Sequence, residues 1–508
     1  MDQVVLAQRE DVVSEDPGDQ VEDRFHVAFL WTVASLMIGA LWIKPLVSSF
    51  WTDEFGTYWV INGSASQVLG RAEAVQGQSP LYYFIAWVTS RVAGHSEIAL
   101  RAPSLVFLLL SAVFVYRITR RLFDLETARI ALITFAVWPS IAFSASDARP
   151  YAVATFCTVV STWALIRWLD DSRVLAAGVY VILAASVAYA HPLFGLVVPA
   201  QVWYAASRIR EGSTRLQPRD IIIAFIAIAV LIVPVAVEVL ELWRRRNDWS
   251  VANTATVPWI VQVLIPPAFI AAGLGAVVLA RPIRTGAGLR TMSWPTRVLI
   301  LGWFLIPAIA LVSLSIFTPV DLLPARYFQC LAPAGAILSA IVIRTLEPDQ
   351  VRRLVILLLA IMSVLDLASP YKSGDMRGAA ALVGTVADQD SVVLVRSGFA
   401  ESMQLDWYGD PNRSGLFTAA TEYYPVPGKV VPLPVELDST TIDFARSQVM
   451  ASLPGADRVV ELTPSDSPYI PWLDELMRQQ GWTSHEVGEV NLFRVMEFTK
   501  DGADPDEA

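Results

Sequence analysis

An adjacent acid pair, Asp53-Glu54, stands in the stretch SSFWTDEFGTYWV, flanked by aromatic residues just past a long apolar run. A carboxylate in such a place suits general-base work on an acceptor hydroxyl. A second acid, Asp147, shares the short turn FSASDARPYAV with Arg149, between two further apolar runs. Arg101 opens the run SEIALRAPSLVF, and Arg326-Tyr327 open another in PVDLLPARYFQC. Guanidinium groups match phosphate geometry in a planar, bidentate way. His191, before Pro192 in AYAHPLFG, and Tyr82, in QSPLYYFIAW, are candidate hydrogen-bonding groups for substrate. The run Arg244, Arg245, Arg246 adds positive charge near the same boundary. Together these residues supply a base and a set of cations to offset charge developing on a leaving phosphate. Each also has a structural reading: solvated loop acids, a salt-bridged turn, a snorkelling Arg with an interfacial Tyr, or headgroup contact.

The elements that must position these groups are membrane spans. Of 508 residues, 54% are hydrophobic and 17% charged; soluble domains average about 25% charged. Apolar runs of about 20 residues, the length that crosses a bilayer, crowd the region 26–370. Eleven spans are expected, near 26–46, 99–117, 128–146, 150–168, 173–190, 192–207, 220–240, 258–280, 297–317, 328–345 and 353–369. Alternate connections are rich in Arg (117–129, 167–173, 208–219, 281–297, 344–353) and the others are poor in it. The positive-inside rule makes the rich side cytoplasmic, with the N-terminus inside and the C-terminus outside. Residues 79–94 are apolar but too short to span. A span there would also invert every later loop, so a helix lying at the surface is expected. Arg244–Arg246 break the charge rule by falling in an outer loop.

Residues 1–25 are acidic and aperiodic and are expected to form a disordered cytoplasmic tail, not a signal peptide. Past Pro370, charges, Pro and Gly mix with short apolar stretches. A helix at 375–389, strands at 391–397 and 457–463, a helix at 469–482 and a strand-like 486–498 suggest a small extracytoplasmic α/β domain over 371–508. Trp407, Tyr408, Gly409 and Asp410 are either core and turn or the lining of a groove. Cys157 and Cys330 read as apolar packing residues, and neither a disulfide nor a Cys metal site is expected. The net charge of −10 lacks any basic domain, which excludes nucleic acid as a partner.

The candidate acids and arginines gather at one membrane edge. A transporter more often places charge mid-span, whereas Glu238 and Asp366 lie near span ends. The pattern suits an enzyme working on a lipid phosphate; a transporter or flippase of such lipids, or a non-catalytic scaffold, are the alternatives.

The motifs WTDEFGTYWV, QSPLYYFIAW, SEIALRAPSLVF, SASDARPYA, AHPLFG, LLPARYF and SGDMRGAAALV, in this order, resemble the bacterial polytopic glycosyltransferases of the GT-C superfamily. Protein O-mannosyltransferases and aminoarabinose transferases are the nearest in pattern, and the likeness covers 26–385. It implies an α-helical polytopic membrane protein with the long first outer loop 47–98, in the bacterial cytoplasmic membrane. It implies transfer of a sugar, with inversion, from a polyprenyl phosphate to an envelope glycan, lipid or protein. On this likeness Asp53 is the essential acid, Glu54 its second member, and Asp147 the acid of the second outer loop. Arg326, Tyr327 and Arg101 fall at donor-phosphate positions, with Arg244 and Arg245 near them; Arg149, His191 and Tyr82 would bind substrate. Ala102 stands where the family's Arg-x-Pro-Ser pattern usually has Leu, and Met376 where Trp is common. No cofactor is expected; a divalent metal is conceivable on this likeness but not predicted.

Overall fold

The computed structural model describes residues 17–74, 80–244, 256–279, 292–318, 322–367 and 374–500. All eleven expected spans are helical within these residues. By length and composition five helices can each cross a membrane: Arg24–Val47, Glu97–Leu122, Tyr151–Asp171, Trp294–Phe317 and Ala325–Arg344. Three more apolar segments are bent pairs, Leu125–Ala136 with Pro139–Ala145, Pro218–Leu231 with Val233–Arg244, and Val257–Leu264 with Pro267–Val277, at 67°, 51° and 77°. Each break adjoins a proline (Pro139, Pro234 or Pro267) that removes a helix hydrogen bond and clashes with the preceding turn. Val174–Ala190 is apolar but shorter than a full span. The described residues thus give five to eight spans by this measure, not a direct count of eleven. The acidic tail lies outside the described residues up to residue 16. From Pro17 the chain is already helical, which corrects the expected disorder over 17–25, because the apolar Pro17–Met37 helix carries its N-terminal turns with it.

Residues 80–93 form a helix, Pro80–Ala93, which is not among the membrane-crossing candidates. Its neighbour Glu97–Leu122 is started by Ser96, whose hydroxyl accepts the Ala99 N–H, and ends with Arg120 and Arg121, where cations complement the helix dipole. This helix also measures the molecule. Arg101 lies in its first turns and Arg121 in its last. At 1.5 Å per residue they are about 30 Å apart. Arg121 and Arg208 pair with Asp170, while Arg344 and Arg352 pair with Glu126. One end of the bundle is therefore an arginine–carboxylate network, and the acid pair and its partners sit at the other. Cys157 and Cys330 are both buried and free.

On the acid-pair end sits a five-stranded sheet of order β2-β1-β3-β5-β4. Its strands are β1 (Val392–Arg396), β2 (Lys429–Leu433), β3 (Arg458–Pro464), β4 (Trp482–Val490) and β5 (Phe493–Lys500). β1 runs parallel to β2 and β3, and β3–β5–β4 are antiparallel. Strand alternation divides the faces: Val392, Leu394 and Val459 join one core with Val449 and Leu473, whereas Val393, Val395, Val460 and Leu462 join the core of the helical bundle. The expected helix at 375–389 is shorter, Met376–Val383, and the stretch 486–498 is a hairpin of two strands. Trp407 is buried and Tyr408 packs on Phe417 and Phe444, so these two are core rather than groove.

The sheet domain is fastened beside the acid pair. The Tyr424 hydroxyl accepts the Phe50 N–H at 3.0 Å and donates to Glu97 Oε1 at 2.9 Å. Arg377 donates to the same carboxylate at 2.6 Å and to the Val47 carbonyl at 2.9 Å. Tyr423 stacks on Phe50 at 4.6 Å. A Cβ at Gly398 would fall 2.6 Å from Thr52 Cγ2, so only glycine permits this approach of the domain to the Thr52 helix.

Candidate functional site

Asp53 and Glu54 lie in the first turn of the helix Thr52–Ile61, where carboxylates favour the positive helix end. The helix places the two acids in different surroundings. Glu54 is wholly buried. Its oxygens accept from Arg101 Nε at 2.7 Å and Nη2 at 2.5 Å, a bidentate pair. Its Oε1 also accepts the Ala148 N–H at 2.8 Å, and its Oε2 the Trp51 N–H at 3.3 Å.

Arg101 is spent on this arrangement. Beyond Glu54 it donates to the carbonyls of Leu46 at 2.9 Å, Ser48 at 2.7 Å and Ser49 at 3.1 Å. All five guanidinium N–H groups are thereby used within the protein, and Arg101 is wholly buried. The expected phosphate contact at Arg101 is corrected accordingly: it ties the 45–49 segment and the acid pair together. Ser104 works next to it, its hydroxyl donating to the Asp147 carbonyl at 2.5 Å.

Asp147 is 1% exposed, and its Oδ1 accepts from Trp51 Nε1 at 2.8 Å. This holds the indole that precedes the acid pair, so the structure gives Asp147 a positioning contact. Arg149, 2% exposed, donates to the Tyr83 hydroxyl at 3.1 Å and approaches Asp53 Oδ2 at 3.8 Å. These contacts place its guanidinium against Asp53.

Asp53 is the accessible acid, its side chain 15% exposed. Its Oδ2 lies 3.4 Å from Arg326 Nη1. The contacts with Arg326 and Arg149 are longer than charge-assisted hydrogen bonds, and Oδ2 makes no hydrogen bond among the described residues. Arg326 itself is 30% exposed and lies over the Trp51 ring at 5.9 Å and the Tyr327 ring at 5.6 Å. Its 3-10 segment Ala325–Leu331 is pinned by Gln329, which accepts from Ser144 at 2.6 Å and donates to Thr155 at 3.0 Å.

His191 packs against Tyr151 at 5.2 Å and Tyr327 at 5.9 Å, placing it beside the Arg326 segment. Burial first, then Arg149 and Arg326, push the imidazole down to about 3, so it is neutral near pH 7. Tyr82 is wholly buried, its hydroxyl without a hydrogen-bond partner among the described residues. Burial, reinforced by Asp147, pushes that phenol well above its ordinary range. Arg244 ends its helix exposed, and no hydrogen bond or ion pair joins it to the cluster among the described residues. Arg245 and Arg246 lie outside the described residues. No group of three or more His, Cys, Asp or Glu is placed to hold a metal ion among the described residues.

Tyr83 and Glu401 are among the residues of the cluster absent from the sequence reading. Tyr83, the partner of Arg149, adjoins Tyr82 in the same motif, and its sign was the doubled tyrosine. Glu401 had no sign at all. It lies in the sheet domain, 4% exposed, with neither carboxylate oxygen hydrogen-bonded among the described residues. Burial pushes the pKa of its carboxyl above the ordinary range, Asp53 raises it further, and Arg149 opposes them, which sets Glu401 electrically beside the acid pair.

The chain is a polytopic helical membrane protein with an ArnT-like fold, and the Asp53 carboxylate between two guanidiniums lies at the end of the bundle that bears the sheet domain. Residues 77–237 match the model of the dolichyl-phosphate-mannose-protein mannosyltransferase family. Among solved structures the chain is similar to apo ArnT of Cupriavidus metallidurans, with a TM-score of 0.54 at 11% identity over 94% of this chain and 98% of that one. ArnT of the same organism bound to undecaprenyl phosphate gives 0.49 at 11% identity, over 94% and 98%. The apo oligosaccharyltransferase of Archaeoglobus fulgidus gives 0.46 at 13% identity, over 87% and 70%. No curated protein matches the chain.

Proposed function

We propose that the chain transfers a sugar, with inversion, from a polyprenyl-phosphate donor to a cell-envelope acceptor, on the outer side of the cytoplasmic membrane. The observation that carries this reading is Asp53, partly exposed and flanked by Arg149 and Arg326. The matched family's description names a dolichyl-phosphate-linked mannose, a donor of the polyprenyl class. The arginine network at the far end of the bundle supports the sidedness.

Asp53 Oδ takes the proton of the acceptor hydroxyl as its oxygen attacks the anomeric carbon. The bond from that carbon to the phosphate oxygen breaks on the opposite face, and its electron pair leaves with the polyprenyl phosphate. Arg326, the more exposed guanidinium, meets that phosphate. In the free protein Arg326 faces Asp53; a bound phosphate draws it away and frees the carboxylate as the donor seats. Glu54, Arg101 and Asp147 hold the Asp53 helix and Trp51 in place. No metal or organic cofactor takes part in this scheme.

The test is transfer in detergent from labelled polyprenyl-phosphate hexoses, pentoses and aminosugars to envelope extract. Transfer that is lost in Asp53→Asn supports the reading. Wild-type rates in that variant refute it, and passage across a bilayer without any transfer would favour the flippase alternative.

A further inference from the structure

The sheet domain holds a cavity of about 420 Å³, within the usual ~300–1,000 Å³ of small-ligand pockets. Arg396 at the end of β1 and Ser397 to Phe399 just past it line the cavity, with Val435 beyond β2, and Ser465 and Asp466 beyond β3. These are the carboxyl ends of the parallel strands. In the order β2-β1-β3, the crossovers from β1 and to β3 leave on opposite sides. A crevice opens at such a switch point, and ligands of open α/β sheets bind there. Here the crevice does not face bulk solvent alone. Thr52 and Phe55, from the helix that bears Asp53, form part of its wall.

The lining chemistry narrows the occupant. Aromatic walls come from Phe55, Phe399, Phe417 and Phe493. Polar groups come from Ser397, Ser465 and one opposed charge pair of types, Arg396 and Asp466. Arg396 donates its Nε to the Val435 carbonyl at 2.7 Å, which orients the guanidinium. One cation and one anion leave no net charge to select a phosphate or carboxylate ligand. Flat apolar faces combined with hydroxyl, carboxylate and guanidinium groups suit a neutral polyol, whose ring C–H faces stack on aromatic rings while its hydroxyls bond the rim. Phe399, on the cavity wall, stands two residues before Glu401, a buried carboxyl outside that wall with no hydrogen-bond partner among the described residues and electrically coupled to Asp53, so the cavity rim adjoins the acid cluster.

We infer that this cavity binds a neutral sugar unit of the acceptor, so that the sheet domain selects the acceptor and presents its hydroxyl beside Asp53. The inference rests on the transfer reading above and names its acceptor as a glycan or glycosylated molecule. The full chain is placed in phospholipid nanodiscs, free of glycoside detergent. Methyl glycosides and disaccharide methyl glycosides of mannose, arabinose and galactose are then probed by saturation-transfer NMR. At least one glycoside binds the wild type. Asp466→Ala weakens it about tenfold, the loss expected when a charged hydrogen-bonding partner goes, and Ala420→Trp, which fills the cavity, abolishes it. Asp53→Asn leaves binding within about twofold while abolishing transfer. Unfolding midpoints confirm that each variant is folded; if Ala420→Trp is not, the Asp466→Ala result decides. Binding by none of the glycosides, or binding indifferent to Asp466→Ala, overturns the inference even if Asp53-dependent transfer stands. Glycoside binding with Asp53-independent transfer would sink the transfer reading instead.

Discussion

Replacing Arg101 with methionine tests whether this arginine holds the site or grips the donor. Arg101 and Glu54 are both wholly buried. Methionine keeps the aliphatic stem and removes every donor. The Glu54 carboxylate then keeps the Ala148 and Trp51 N–H groups but loses the guanidinium opposite it, and the carbonyls of Leu46, Ser48 and Ser49 lose their donor. Breaking one partner of a buried pair costs ~3–5 kcal/mol, and each stranded carbonyl adds about 1–3 kcal/mol where water cannot reach it. Arg101→Met should therefore lower the unfolding midpoint, followed by tryptophan fluorescence in nanodiscs, and abolish transfer. Adding Glu54→Gln to it should recover part of the loss, because the uncompensated carboxylate disappears. An Arg101→Met protein with a wild-type midpoint and only a raised donor KM would refute this reasoning and return Arg101 to the phosphate.

Asp53→Asn should lower the transfer rate by ~10²–10⁴-fold, the usual worth of a general base, with the unfolding midpoint held, since Asp53 is partly exposed; a rate within a few-fold of wild type would exclude it as the base. Arg326→Lys should raise the donor KM about tenfold or more, because an ammonium cannot reproduce the planar fork, and steady-state kinetics would show whether kcat alone falls instead. Glu401→Gln should flatten the activity–pH curve where the raised Glu401 carboxyl titrates next to Asp53, whereas Glu401→Asp should retain the step. Glu461, buried in β3, is pushed up to about 8 chiefly by its burial, with Arg494 opposing. A raised folded-state value gives stability that is complete below the unfolded value of about 4.5 and is lost as pH rises through 8. Glu461→Gln should therefore unfold later than wild type above pH 8, by up to roughly 5 kcal/mol, and equally with it at pH 4; a pH-independent difference would contradict the assignment.

The membrane class and the cluster's place at one end of the bundle were legible from residue order alone. Lipid cannot hydrogen-bond a backbone, so spans must be long and apolar, and Arg101, Asp147, His191 and Arg326 stand where such runs begin or end. The bends at Pro139, Pro234 and Pro267 follow equally from one residue's missing N–H. Within the sheet domain, β1 and β3 were visible as short apolar runs. The edge strand β2, half exposed and containing Pro432, was not, since pairing with β1 and not its own pattern makes it a strand. What tertiary structure decided was the division of labour among like residues. Nothing in the types Asp53 and Glu54, or Arg101 and Arg326, says which is enclosed and which is open. That depends on where the Thr52 helix meets the start of the Glu97 helix, a contact that seals Glu54 with Arg101 and leaves Asp53 facing Arg326. Glu401 joins the cluster only because Gly398 lets the sheet domain close on Thr52. Burial and partnership are properties of packed surfaces, and they leave one of several equivalent carboxylates open while the others are enclosed.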